Sequence, residues 1–277
     1  MRVEFSKMQG LGNDFLVFDA PADRRQVPSS DTLRALADRH TGIGFDQALM
    51  LEPPGDPDSR VFYRIFNADG GEVEQCGNGA RCVAALLYLR RPELGAEFTM
   101  DSPGGRVRAR VQGDGTVSVE MGVPDFEPAS LPMDWPAPQT TYALPLDGET
   151  VEFGAVSMGN PHVVIEVPDV ANAPVDRIGA RLERDPHFPR RTNVGFMQIV
   201  DRAHIKLRVF ERGVGETRAC GTGACAAVAV GGALGRLGTD VQVTLPGGTA
   251  GVGWIGPGRP AWLTGPATLV FTGSVEF

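Results

Sequence analysis

The sequence predicts a mixed α+β protein built from two similar halves, and three observations carry that prediction. A cysteine–glycine motif occurs twice, an apolar run of helical character follows each copy, and the rest breaks into short alternating segments punctuated by glycine and proline.

The duplication is read first. QCGNGARC (75–82) and ACGTGAC (219–225) each set a cysteine before a glycine-rich turn, and RIFN (64–67) stands to Cys76 as RVFE (208–211) stands to Cys220. Further echoes are Gly12-Asn13 with Gly159-Asn160, PGG (103–105) with PGG (246–248), and TGIGF (41–45) with TNVGF (192–196). Correspondences kept in order along both halves imply two homologous units. The alanine-rich runs 83–87 and 226–230 read as buried helices, so Cys76 and Cys220 fall at helix N-termini.

Strand character is assigned to residues 5–9 and 15–18 about a turn at 10–13, then to 47–51, 60–66, 98–102, 107–111 and 116–120. A short helix over 31–37 is expected, capped by Ser30 or Asp31, and Met1 to Phe5 opens as a strand. Prolines recur from 124 to 145, which puts the junction near Gly122. The second half replays the first from 156–162, with a helix over 178–182 and strands at 241–245 and 254–272. The expected domains are 1–121 with 267–277, and 122–266.

Length and charge narrow the function. At 277 residues the chain is long enough for two cores, and its net charge of −8 argues against nucleic acid or an anionic membrane surface as partner. No apolar run approaches the roughly 20 residues of a membrane span, and four cysteines are too few for a disulfide scaffold, so a cytoplasmic setting is expected. Lys7 and Lys206 are the only lysines, and neither adjoins a glycine-rich turn able to hold phosphate, which argues against pyridoxal phosphate.

A thiol at a helix N-terminus meets unpaired N–H groups and the positive end of the helix dipole, which favour thiolate. Cys76 and Cys220 are therefore candidate reactive sulfurs, whereas Cys82 and Cys225 lie inside the apolar helices and read as buried packing. No Cys/His spacing near either thiol or near His40, His162, His187 and His204 suits a metal. Asn13, Asn67, Asn78, Asn160 and Asn193 are turn formers that together supply neutral amides, and Glu211-Arg212 supplies one charge of each sign. His162 fits a core histidine as well as a functional one.

KMQGLGNDF (7–15), GFDQ (44–47), FNADGGEVEQCGNGARC (66–82), MGNPH (158–162), NVGF (193–196) and FERGVGETRACGTGACA (210–226) resemble the diaminopimelate epimerases over nearly the full length. The resemblance implies two pseudo-symmetric domains, each a β-barrel-like sheet wrapped on a central helix, with the active site in a cleft between them and the final strand, 269–277, returning to the first domain. It implies a homodimer and a small-molecule substrate, diaminopimelate, epimerised between LL and meso forms without cofactor. Cys76 and Cys220 would exchange protons, assisted by His162 and Glu211. Gly77-Asn78 and Gly221-Thr222 would present helix-tip amides, and Asn13, Gln47, Asn67, Asn160, Asn193, Glu211 and Arg212 would contact substrate. Gly71 stands where serine is frequent, and Phe271 where some members carry tyrosine at the dimer contact. Two alternatives stay open: a proline or hydroxyproline racemase, and a thiol redox sensor using a Cys76–Cys220 disulfide.

Overall fold

The computed structural model describes residues 2–20, 28–146 and 148–276. Met1 and Phe277, read above as the ends of the first and last strands, lie outside them. The chain divides into two compact units, Met1–Val119 with Gly265–Phe277, and Glu120–Thr264.

The first unit opens with a hairpin of β1 (Arg2–Gly10) and β2 (Asn13–Asp19). Leu11 and Gly12 turn it, both at positive φ (57° and 77°), the backbone twist that a two-residue hairpin favours. Glycine takes this conformation freely; leucine does not, and burial of its side chain offsets the strain. Helix α1 (Ser30–Ala37) follows, turning Leu33, Leu36 and Ala37 inward. Its cap is Ser29, one residue before the expected position, because its hydroxyl accepts from the Thr32 N–H at 3.2 Å. Then come β3 (Gln47–Glu52), β4 (Phe62–Asn67), β5 (Glu72–Val73), α2 (Gly77–Arg90), β6 (Glu97–Ser102), β7 (Gly105–Val111) and β8 (Val117–Glu120).

The second unit runs β9 (Tyr142–Leu146), β10 (Glu149–Ser157), β11 (Pro161–Glu166), α3 (Val175–Glu183), β12 (Asn193–Asp201), β13 (His204–Glu211), β14 (Gly215–Thr217), α4 (Gly221–Ala233), β15 (Asp240–Leu245), β16 (Gly248–Gly253) and β17 (Trp262–Gly265). The last strand, β18 (Thr268–Glu276), pairs antiparallel with β1. In the first unit β1–β2 is antiparallel, β2–β3 parallel, β3–β4 antiparallel and β4–β6 parallel. In the second, β10–β11, β11–β12, β12–β13 and β13–β15 repeat that sequence of senses. Strand β9, antiparallel to β10, plays the part that β18 plays for β1.

One expected echo is in the wrong register. Phe15 pairs with Gln47 across β2–β3, and His162 pairs with Asn193 across β11–β12. Gln47 and Asn193 are therefore equivalent, not Gly42 and Asn193 as the TGIGF/TNVGF match suggested. Residues 41–45 form a turn and irregular chain, whereas Asn193 already opens a strand.

Each central helix is apolar on nearly every side, as a helix surrounded by sheet must be. Helix α2 packs on β1, β2, β7 and β18, and α4 on β10, β11, β12, β13 and β16. The approach is close: a Cβ on Gly154 of β10 would lie 2.3 Å from Val230 of α4, so only glycine fits there. The second core is further filled by Tyr142, Phe153, Phe188 and Phe196, with Trp135 edge-on to Tyr142 at 5.3 Å. The fold is thus of the mixed α+β class, two like units each with a sheet about its helix. No helix among the described residues is long and apolar enough to cross a membrane.

Candidate active site

Each unit presents one half-site built on the same scaffold: a cysteine capping the central helix, an asparagine from the first hairpin, and the facing ends of two antiparallel strands. In the first unit Cys76 is the N-cap of α2, and its sulfur accepts from the Gly79 N–H at 3.4 Å. Gly77 and Asn78 form the helix tip. Asn13, at the start of β2, brings its Oδ1 to 3.9 Å from the Cys76 sulfur, and the Asn78 amide donates to that same oxygen at 3.3 Å. Gln47 opens β3 and Asn67 closes β4; they pair across the ladder, and Gln47 Nε2 donates to Asn67 Oδ1 at 2.9 Å.

In the second unit Cys220 caps α4 and is 4% exposed. Its sulfur lies 3.6 Å from the Thr222 hydroxyl, to which Asn160 donates from Nδ2 at 3.4 Å. Asn160 Oδ1 lies 3.0 Å from His162 Nε2, which fixes that nitrogen as the protonated one, since the oxygen can only accept. Glu211 hydrogen-bonds the Cys220 sulfur and accepts from the Thr217 hydroxyl. Asn193 donates to the Pro161 carbonyl at 2.9 Å and accepts the Arg212 N–H at 3.0 Å, and the exposed Arg212 side chain rests on the Arg190 carbonyl at 3.2 Å. Gly221 is the first residue of the helix. At the third helical residue both units carry glycine: a Cβ on Gly79 would lie 3.2 Å from Leu49, and one on Gly223 would lie 3.2 Å from the Cys220 sulfur.

Burial sets the proton affinities of the second half-site. It pushes the Cys220 thiol well up, and the neighbouring Glu211 charge adds to this. Burial also raises Glu211, which its bonds to Thr217 and Cys220 partly offset. The thiol therefore keeps its proton, with the Glu211 carboxyl beside it as a group able to take it. His162, wholly enclosed and near Arg212, is pushed down to about 3 and stays neutral. It is linked to Cys220 through Asn160 and Thr222.

The structure thus groups Cys76 with Asn13, Gly77 and Asn78, and Gln47 with Asn67; in the other unit it groups Cys220 with Asn160, His162, Glu211, Gly221 and Thr222, and Arg212 with Asn193. Cys82 and Cys225 are fully buried, and burial pushes Cys82 up to about 12, so it is inert packing. The sequence reading missed a charged cluster behind Asn13: Asp46 accepts from Asn13 Nδ2 at 2.9 Å and from Arg39 at 2.7 Å, and Asp14 is held by Lys7 and Arg39. Its only sequence signal was Asp46 standing beside Gln47 in GFDQ. All four cysteines are free, and no group of three or more His, Cys, Asp or Glu suited to a metal exists among the described residues.

The diaminopimelate epimerase model matches residues 5–127 and 154–270, which contain both half-sites. The chain belongs to the diaminopimelate epimerase family. Membership places it among isomerases of the epimerase type. Among solved structures it is similar to a hydroxyproline epimerase from Agrobacterium vitis (TM-score 0.68, 16% identity, 99% of this chain and 92% of that one). It is also similar to a predicted epimerase from Pseudomonas aeruginosa (TM-score 0.70, 16% identity, 99% of each chain). A third likeness is to a phenazine biosynthesis protein of the PhzF family from Bacillus anthracis (TM-score 0.65, 15% identity, 100% of each chain). At such identities these three likenesses concern the fold.

Proposed function

We propose that the protein interconverts LL- and meso-2,6-diaminoheptanedioate without a cofactor, by proton transfer between one α-carbon and two thiols, Cys76 and Cys220. The observation that carries this reading is that each unit of a diaminopimelate epimerase-family chain begins its central helix on a cysteine. In one direction a thiolate takes the α-hydrogen as a proton, the C–H electron pair moves into the carboxylate, and the other thiol returns a proton to the opposite face of the carbon. The difficulty is acidity, because an amino-acid C–H is far weaker an acid than a thiol. Helix-tip N–H groups of Gly77-Asn78 and Gly221-Thr222 would answer it by binding the carboxylate as charge builds there, each well-aimed donor being worth about 3 kcal/mol.

Glu211 takes the Cys220 proton when that sulfur acts as base and returns it when the sulfur acts as acid. Arg212, with Asn67 and Asn193 near the two half-sites, offers partners for the second amino-acid end of a long substrate. The same reading includes a homodimer joined through β18, whose exposed Val270 and Phe271 are apolar side chains on a strand paired with β1. The likeness to a hydroxyproline epimerase favours a second reading, a proline-type racemase, whose shorter substrate has no use for Arg212.

Purified protein incubated with LL-diaminopimelate in deuterium oxide, with no cofactor added, is expected to form the meso isomer with one α-deuterium per turnover. No exchange with diaminopimelate, but exchange with proline or hydroxyproline, would overturn the first reading in favour of the second.

A further inference from the structure

Asn13 is a side chain whose amide can turn end for end with little change in shape, and only its partners decide which end faces Cys76. Those partners form a chain with a cation at each limit. Arg81, fully buried, donates to Asn78 Oδ1 at 2.9 Å; Asn78 Nδ2 donates to Asn13 Oδ1 at 3.3 Å; Asn13 Nδ2 donates to Asp46 Oδ2 at 2.9 Å; and Arg39 donates to Asp46 Oδ1 at 2.7 Å. The direction is the same at every amide, so each carbonyl oxygen looks back toward Arg81 and each NH2 forward toward Asp46. Asp46 takes a second donor from the same turn, the Asp14 N–H at 3.1 Å, and its own N–H donates to Asp14 Oδ1 at 3.0 Å. Asp14 is clamped in turn by Lys7 at 2.5 Å and by both terminal nitrogens of Arg39.

We propose that Asp46 is a positioning residue: by accepting from Asn13 Nδ2 it keeps the Asn13 carbonyl oxygen, not the NH2, turned to the Cys76 sulfur. An oxygen there can only accept, so it steadies the thiol hydrogen; an NH2 there would donate to sulfur and favour thiolate. The other unit shows the opposite arrangement. Asn160 has its oxygen fixed by His162 and its NH2 aimed at Thr222, whose hydroxyl lies beside the Cys220 sulfur. Two equivalent asparagines thus offer opposite ends toward their helix tips, each held by a residue the other unit lacks: Asp46 for one, His162 for the other. In the reaction proposed above, on which this role rests, the two amides would keep the two sulfurs unlike one another.

The test reads the Cys76 thiol directly in full-length protein: the pH midpoint of its alkylation by iodoacetamide, located by peptide mapping. Other titratable groups that sense Cys76 are the buried Tyr63 and Cys82, and Lys7, Asp14, Arg39 and Arg81 complete the charged surroundings of the chain. Asp46→Asn removes the negative charge but keeps an acceptor for Asn13; Asp46→Ala removes both. The expected order of midpoints is unsubstituted, then Asp46→Asn, then Asp46→Ala lowest, the last falling about one pH unit below the Asn variant. In an Asn13→Ala background that gap should close. Coincident midpoints for the two Asp46 variants, or a gap that survives without Asn13, would overturn the proposal. The alkylation readout needs no turnover, so failure of the deuterium experiment with a normal midpoint order would sink the assigned reaction and leave the positioning of Asn13 standing.

Discussion

The two units share a scaffold and differ in what they hang on it. Across equivalent positions the first carries Phe15, Gln47, Asn67 and Asn78 where the second carries His162, Asn193, Glu211 and Thr222. Even a peripheral ion pair repeats: Arg64 with Glu72, and Arg208 with Glu216, both at 2.7 Å. What differs is the supply of proton-handling groups. The second sulfur is buried beside a carboxyl and joined through two side chains to an imidazole, whereas the first is partly exposed and meets neutral amides. The backbone thus fixes where a thiol stands, and a few side chains decide how it holds its proton.

Exchanging or deleting these side chains tests the comparison. The largest effect should come from the sulfurs: Cys76→Ala or Cys220→Ala is expected to lower the proposed epimerisation by about three to four orders of magnitude, measured as meso formation from the LL isomer. Full activity in either variant would sink the two-thiol mechanism. Glu211→Gln should cost about a hundredfold in kcat, because on the proposed mechanism Cys220 loses the group with which it trades its proton. The same substitution should lower the alkylation midpoint of Cys220, since the neighbouring negative charge that holds the thiol up is gone. An unchanged midpoint would show that the carboxyl does not act on that sulfur.

His162→Phe copies the first unit into the second and sharpens the comparison through stability. A histidine held neutral down to about pH 3 contributes fully above its unfolded value of 6.5, and that contribution falls away as pH drops from 6.5 toward 3, by about 1.4 kcal/mol per pH unit. Between pH 7.5 and 4.5 urea unfolding of the unsubstituted protein should therefore lose about 2 to 3 kcal/mol more than that of the phenylalanine variant. Parallel loss in both would mean that the imidazole is not the group responsible. The smallest difference concerns the repeated ion pair. Arg208 also donates to the carbonyls of Val170, Ala171 and Ala173, so Arg208→Ala should cost about 1 to 3 kcal/mol, against about 0 to 1 for Arg64→Ala. Equal costs would remove the extra anchoring assigned to Arg208.

Much of this was legible in the residues themselves. The helix-capping cysteines announced themselves because glycine, needed to clear the sulfur and the packed strand behind it, recurs at fixed spacing in CGNG and CGTG. The equivalence of Gln47 and Asn193 was not legible, since Gly-Phe pairs of similar composition lie in irregular chain in one unit and in a strand in the other. Side-chain identity carries no register; ladder pairing does. The cluster of Lys7, Asp14, Arg39 and Asp46 escaped for a related reason, because long-range ion pairs leave no periodic mark in a sequence. The cap of α1 slipped by one residue where Ser29, Ser30 and Asp31 all qualify chemically, and Ser29 takes the role because its extended backbone lets its hydroxyl accept from the Thr32 N–H.

Pairing of β18 with β1 also orders events in time. During synthesis the segment 120–264 can collapse as an uninterrupted stretch, whereas the residues made earliest must wait for 268–276 before their sheet gains its outer ribbon. The half that leaves the ribosome first is thus the half completed last, and until then β1 keeps a bare edge open to any passing strand.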